Sequence, residues 1–476
     1  MARGSRQFVG EEPKGEASAI PPHSSSGNAP HNRFLPRFNH NGHEVTKGIE
    51  PEGESGRRGF HPIKFLRICF RSTSRVSKAV NILWPVVPAA IAVHFARPDW
   101  HLAIFILNYI AMVPAANLIG FAGQELARKV PKVLGVIMET TLGSVVEIVL
   151  FMVLIKKGES SVPVIKAAIL GSILANLLLC LGTCFIAGGL QHDEQTFHEV
   201  VSEVGSGLML VAGMGLVAPA VFSKAVTSSD LNTSGLTTTF DAQTLKISRA
   251  TAVILLFSYM VFIFFQTKTH DGLYGEVLEA DEQKDRDREK DLAKDKLTFT
   301  ECIVALLIAI ACVSLIAIFL VEQIHFLVEE RHVSDAFVGL ILLPLVEKAA
   351  EHLTAIDEAY DNQMNFALAH VLGASVQTAL FNTPLVIIVG WGLNVHMDLN
   401  FEIFDAVMLI LAILVVGSFL RDGKSNYLEG VLCVLVYMII AICAFYYPNP
   451  ALEGPEGETP EGGEAVARML MRSLGG

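Results

Sequence analysis

Long apolar runs, each followed by a short polar break, fill most of this chain. Within a run the apolar residues are continuous over about 20 positions rather than alternating with a period of two. A continuous run of that length matches the hydrocarbon thickness that an α-helix must cross. It is not the alternating pattern of a membrane β-barrel. Eleven spans are expected, at 79–96, 101–121, 133–155, 162–187, 200–222, 248–267, 299–321, 334–356, 365–393, 402–419 and 428–447. The expected fold class is therefore an all-α polytopic membrane protein whose main partner is the lipid bilayer.

The polar segments supply orientation. Residues 1–78 are expected to be a disordered, basic cytosolic region: 1–60 are rich in Gly, Pro, Ser, His and Asn, with no apolar core of a secretory signal. Arg57, Arg58, Lys64, Arg67, Arg71, Arg75 and Lys78 follow with no acidic residue among them, which keeps this segment cytosolic by the positive-inside rule. The same topology puts Arg128, Lys129, Lys132, Arg421 and Lys424 in the cytosol, and leaves Lys156 and Lys157 on the opposite side as a discordance. Residues 268–298 are a charged cytosolic linker (GEVLEADEQKDRDREKDLAKDK), read as a solvated connector; a regulatory cation-sensing loop is the alternative, although no EF-hand spacing is present. Residues 448–476 form an acidic, Pro/Gly-rich tail on the far side, where the sequon at Asn232 would also be open to glycosylation.

Composition agrees with the span reading: of 476 residues, 51% are hydrophobic and only 18% charged. The formal net charge of −12 says little about partners, since much of the acidity lies in the linker and tail; no nucleic-acid partner is expected. Six of the seven cysteines lie in apolar runs with no zinc spacing, so neither a disulfide framework nor a bound cofactor is expected. No His-Glu-x-x-His or comparable catalytic arrangement is present.

Removing the first span leaves five spans before the linker (101–267) and five after it (299–447). A five-span unit repeated after an odd number of crossings must be inverted, which places a substrate site near the midplane at the repeat interface. The sequence supports the pairing. TLGSVVEI (141–148) aligns with LVEKAAEH (345–352), and AAILGSILANLLLCLG (167–182) with AHVLGASVQTALFNTP (369–384). Glu147 and Glu351 thus occupy matching places deep in apolar runs, where a charge survives only against a partner, an ion or water. Hard cations want oxygen ligands, and Glu147, Glu351, Ser172, Asn176, Ser375 and Gln377 are the candidates. Ser144, Glu139, Glu347, Lys348 and His352 stand close enough to tune charge or selectivity, and Glu347, Lys348 and Glu351 are expected to share one side of a helix. Two close carboxylates in a low dielectric cannot both stay ionised without a cation, so metal ion and protons compete for one site. The opposing reading of each glutamate is a buried ion pair that only holds the bundle. His325, His370 and His396 are expected at loops or interfaces, and Asp357, Glu358 and Asp361 at a solvated helix end.

ETTLGSVVEIVLFMVLIKKG with LGSILANLLLCLG resembles the first signature region of the Ca2+/H+ exchangers of the calcium/cation exchanger superfamily. FVGLILLPLVEKAAEHLTAIDEAYDNQMNFALAHVLGASVQTALFNTPLVIIVGW (337–391) resembles the second, and DGKSNYLEG (422–430) is also similar. The resemblance implies Ca2+/H+ antiport, usually into a vacuole, with Glu147 and Glu351 as the cation and proton carriers. The chain departs from the family pattern where Gly-Asn-Ala-Val-Glu becomes Gly143-Ser144-Val145-Val146-Glu147, and where Gly-Asn-Ala-Ala-Glu-His becomes Glu347-Lys348-Ala349-Ala350-Glu351-His352. An asparagine of the family is replaced by Glu139. An inward-pointing lysine would repel Ca2+, because two unit charges at about 4 Å interact by about 4 kcal/mol at an effective dielectric near 20. Pairing with Glu347 would cancel that repulsion. Exchange of Na+, K+ or Mn2+ for H+ on the same fold, and a non-transporting scaffold or sensor, stand as alternatives.

Overall fold

The computed structural model describes residues 38–39, 41–72, 74–227, 237–285 and 288–448. Asn232, residues 1–37 and nearly all of the acidic tail lie outside them. Among the described residues, ten helices are long and apolar enough to cross a membrane. They coincide with ten of the expected spans. The exception is 334–356, which is broken into Asp335–Phe337, a π turn at Val338–Leu342, Leu343–Glu347 and, after a bend at Lys348, Ala349–Tyr360. Three charged residues, Glu347, Lys348 and Glu351, interrupt what would otherwise be an apolar helix.

Two helices form the centre. In the most apolar window of Glu159–Gly189, 83% of residues are buried, and in that of Met364–Gly392, 78%, against 17% in Val76–Ala96 and in Asp241–Thr269. The outer helices turn Phe257, Leu307, Leu411 and Ile439 outward, a surface made for lipid. Small residues let the centre close. A Cβ on Gly171 would lie 2.3 Å from the Leu340 carbonyl oxygen, so only glycine allows the inner helix Val162–Leu174 to touch the π turn of the broken segment.

The backbone repeats the pairing that the sequence suggested. The helix through 132–156 is interrupted at Ser144 (φ −73°, ψ −2°), and its counterpart at Lys348 (φ −93°, ψ −2°). These two positions are matched in the alignment of 141–148 with 345–352. The inner helices carry π turns at Ala175–Cys180 and Thr378–Asn382, again at matched positions. Such turns widen a helix locally and are frequent at functional sites.

Two polar segments differ from expectation. The linker is docked rather than solvated over its first half: its helix Asp271–Glu282 ends on a fully buried Asp281. That carboxylate accepts hydrogen bonds from the Asn365 amide (2.8 Å) and the Phe366 amide (3.2 Å) at the start of Met364–Gln377. A carboxylate there satisfies orphan amides and the helix dipole together. Lys132 at the start of the first broken helix pairs with Glu282 at 2.6 Å. Residues 41–60 are also structured, contrary to their low-complexity reading. Lys129 Nζ donates to the Gly53 and Leu297 carbonyls at 2.6 and 2.7 Å, and Arg57 reaches the buried Glu301 at 3.3 Å. Charged side chains hold this strap, so apolar periodicity gave no warning of it. Lys157, the discordant charge, donates to the Val321 carbonyl at 3.3 Å near the end of Phe299–Glu322, where a helix C-terminus favours a cation.

Candidate functional site

The two interruptions create the site. Each restarts a helix inside the protein, at Val145 and at Ala349, and each restarted helix carries a glutamate at its third position, Glu147 and Glu351. Free amides and the positive end of the helix dipole favour a carboxylate there. Matched glutamates at matched half-helix starts therefore follow from where the chain breaks.

Their surroundings are unlike. Glu147 is fully buried and fully engaged. Thr378 Oγ1 donates to its Oε1 at 3.1 Å and lies 3.0 Å from Oε2, and Asn382 Nδ2 donates to Oε2 at 2.9 Å. Lys348 Nζ stands 2.8 Å from the same Oε2 and 3.2 Å from Glu351 Oε2. The fully buried lysine thus places its ammonium between the two glutamates. It does not pair with Glu347, and only Lys348 and Glu351 of the expected trio meet. Across the bend at Lys348, Glu347 and Glu351 line one cavity while the Lys348 ammonium reaches over to Glu147.

Glu347 and Glu351 are open. Both Glu347 oxygens and Glu351 Oε1 are buried without a hydrogen-bond partner, while Glu351 Oε2 has the Lys348 ammonium beside it at 3.2 Å. Both residues line a small cavity with Gly143, Glu139, His370 and Thr354. Gly143 makes room there, since a Cβ on it would lie 2.4 Å from Glu351 Oε1. Orphaned oxygens in a cavity are what a site for a hard cation requires.

The other expected residues divide. Gln377 Nε2 donates to Ser144 Oγ at 2.6 Å, tying one helix break to the opposite inner helix. His352 Nε2 lies 3.1 Å from Asn176 Oδ1, and the buried Ser172 hydroxyl has no partner. Ser375 donates to the Val371 carbonyl of its own helix at 2.8 Å and offers the site little. Glu139 lies on the linker side of the cavity, 3.5 Å from His370 Nε2, while Glu358 is 2.8 Å from His370 Nδ1. His370 is thus buried and paired with a half-buried Glu358, rather than the two being loop and solvated residues. His325, expected at an interface, is exposed and pairs with Glu329 at 2.8 Å. Thr378 and Asn382 were missed. The repeat alignment holds the signal: they fall opposite Asn176 and Cys180, one helical turn apart on the inner helix facing Glu147.

Two inverted units, two broken helices and a buried carboxylate centre define the class: a membrane cation exchanger, a transporter and not an enzyme. The model of the sodium/calcium exchanger protein family matches residues 100–268 and 302–446, and the chain belongs to that family. It is 33% identical over 379 residues to vacuolar cation/proton exchanger 2 of Arabidopsis thaliana, covering 79% of this chain and 82% of that protein. It is also 33% identical to the vacuolar calcium ion transporter of Schizosaccharomyces pombe over 375 residues, covering 79% and 86%. Among solved structures, native YfkE superposes with a TM-score of 0.61 at 25% identity, covering 77% of this chain and all of that one.

Proposed function

We propose that the protein is a secondary antiporter that moves Ca2+ out of the cytosol in exchange for H+, by alternating access at the cavity between the broken helices. The observation that carries this reading is the pair of carboxylates on the cavity wall, the buried and unpartnered Glu347 and the half-buried Glu351 with one free oxygen, in a chain similar to a vacuolar calcium ion transporter and a vacuolar cation/proton exchanger. Without a cation, close carboxylates in a dry site take up protons, and an arriving cation expels them. Exposing the same groups alternately to each side converts that competition into exchange. Residues 101–267 and 299–447 are the two repeats in this reading, 79–96 the additional helix and 268–298 the cytosolic link. The N-terminus is cytosolic, and the membrane is that of the vacuole or another acidic organelle.

The placement of Lys348 favours a second reading of the cargo. An ammonium between Glu147 and Glu351 weakens the site for a divalent ion, so Na+ or K+ exchange on the same fold is the competing account; Mn2+, divalent like Ca2+, gains nothing from that charge. Radiolabelled Ca2+ uptake into acid-inside vesicles, with Na+ and Mn2+ as competitors, tests both. Uptake that collapses with the pH gradient and resists Na+ supports Ca2+/H+ exchange. Uptake absent at every gradient rejects it.

A further inference from the structure

The two glutamates at the helix breaks are matched by the repeat but not equivalent. Both oxygens of Glu147 accept hydrogen bonds, from Thr378 and Asn382, and its charge is met by Lys348 at 2.8 Å. To bind a cation through Oε2 it would have to give up the Lys348 ammonium, and its remaining lone pairs are already shared with Thr378 and Asn382. Glu347 is the reverse. It is 2% exposed, both its oxygens are unpartnered, and it lines the cavity together with Glu351. A buried carboxylate with no donor is stable only if something else supplies the missing charge or hydrogen bonds.

The internal repeat shows how unusual this is. Glu347-Lys348 stand where the other half has Gly143-Ser144. There, Gly143 contributes only room for the Glu351 carboxylate. In the second half, the same position carries a carboxylate of its own, and its neighbour carries an ammonium. The charges sort into two groups. At the helix breaks, Glu147 (−1) and Lys348 (+1) cancel, and Glu347 (−1) with Glu351 (−1) leave −2, the charge that one divalent cation neutralises; Glu139 on the same wall has His370 beside it at 3.5 Å.

We propose that Glu347 and Glu351 hold the transported cation, and that Glu147 and Lys348 form an internal ion pair that fixes the two broken helices against each other. This rests on the antiport reading above and names the ligands within it. Two carboxylates give up to four oxygens, and water in the cavity completes the six to eight that Ca2+ takes. Lys348 remains 3.2 Å from Glu351, so the arriving ion takes Glu351 from the lysine while Glu147 retains it. The lysine is a positioning residue and a tether for the empty site.

The test is a set of variants of the full chain, reconstituted in acid-inside proteoliposomes and assayed for radiolabelled Ca2+ uptake. Glu347→Gln and Glu351→Gln each lower uptake at least about tenfold. Glu147→Gln also lowers it, because the ammonium then turns wholly to Glu351. Adding Lys348→Gln to Glu147→Gln restores uptake to within about threefold of wild type. Wild-type-like uptake in Glu347→Gln overturns the assignment, as does a double variant no more active than Glu147→Gln alone. If the double variant fails to reach the membrane, Glu347→Gln decides by itself. It must elute as a monodisperse protein and lose the thermal stabilisation that Ca2+ gives the wild type; keeping that stabilisation overturns the assignment. A wild type that moves no Ca2+ sinks the antiport reading instead. The ligands are then read from Ca2+- or Na+-induced thermal stabilisation, lost in Glu347→Gln and kept in the double variant.

Discussion

The first helix break presents Gly143, Ser144 and a satisfied Glu147; the second presents Glu347, Lys348 and an open Glu351. Backbone geometry is nearly the same at both, with ψ of −2° at each interruption. Charge is not. The comparison teaches that an inverted repeat can keep its architecture while its two halves divide the work. One half supplies space and a fixed counter-charge, and the other supplies the open carboxylates. Backbone symmetry constrains where helices break, whereas side-chain chemistry at the break remains free to differ.

Substitutions at matched positions should expose that division. The largest effect belongs to Lys348→Met. Removing one partner of a buried ion pair costs about 3–5 kcal/mol, and thermal unfolding in detergent should show it. Ser144→Ala, at the matched place, removes two neutral hydrogen bonds, from Gln377 and to the Thr141 carbonyl, and should cost about 1–2 kcal/mol; equal losses would contradict the asymmetry. Asn382→Ala deletes a hydrogen bond to the Glu147 carboxylate and should cost about 1.5–3 kcal/mol, more than Cys180→Ala at the matched position, by the same assay. Gly143→Ala places a methyl group 2.4 Å from Glu351 Oε1. It should cost about 1–3 kcal/mol through overpacking and lower Ca2+ uptake; unchanged uptake would mean that Glu351 has room elsewhere. The smallest effect is expected at Asp281→Ala. The inner helix Val162–Leu174 starts without a side-chain cap, while its counterpart Met364–Gln377 borrows Asp281 from the linker. Losing that cap should cost about 0.5–2 kcal/mol and speed hydrogen exchange at the Asn365 and Phe366 amides, leaving the start of Val162–Leu174 unaffected.

The fold was legible because lipid enforces it: continuous apolar runs of bilayer length have few alternatives. The repeat was legible from the order of small residues and carboxamides, and Glu147 and Glu351 from the rarity of buried charge. The helix breaks were not, because a window that sums apolarity over 20 residues cannot sense one bend at Ser144 or Lys348. The partner of Lys348 was within reach of sequence reasoning. Residues i and i+3 face each other on a helix and i, i+1 do not, which favours Glu351 over Glu347. Thr378 and Asn382 were also within reach, had the repeat alignment been read across from Asn176. The docking of the linker helix had a signal that its charges masked, since Tyr274, Val277 and Leu278 are buried at helical spacing on the face of Asp281; the partners of Asp281 at Asn365 and Phe366 are tertiary and left no local trace.

The central claim, that the cation sits with Glu347 and Glu351 rather than with Glu147, is tested most directly by locating a bound ion. Crystals grown with Cd2+, which is close to Ca2+ in size and scatters anomalously, would show its position. The account predicts an anomalous peak in the cavity within coordination distance of Glu347 and Glu351, with Lys348 still on Glu147. A peak on Glu147, with Lys348 displaced and Glu347 unliganded, would contradict it.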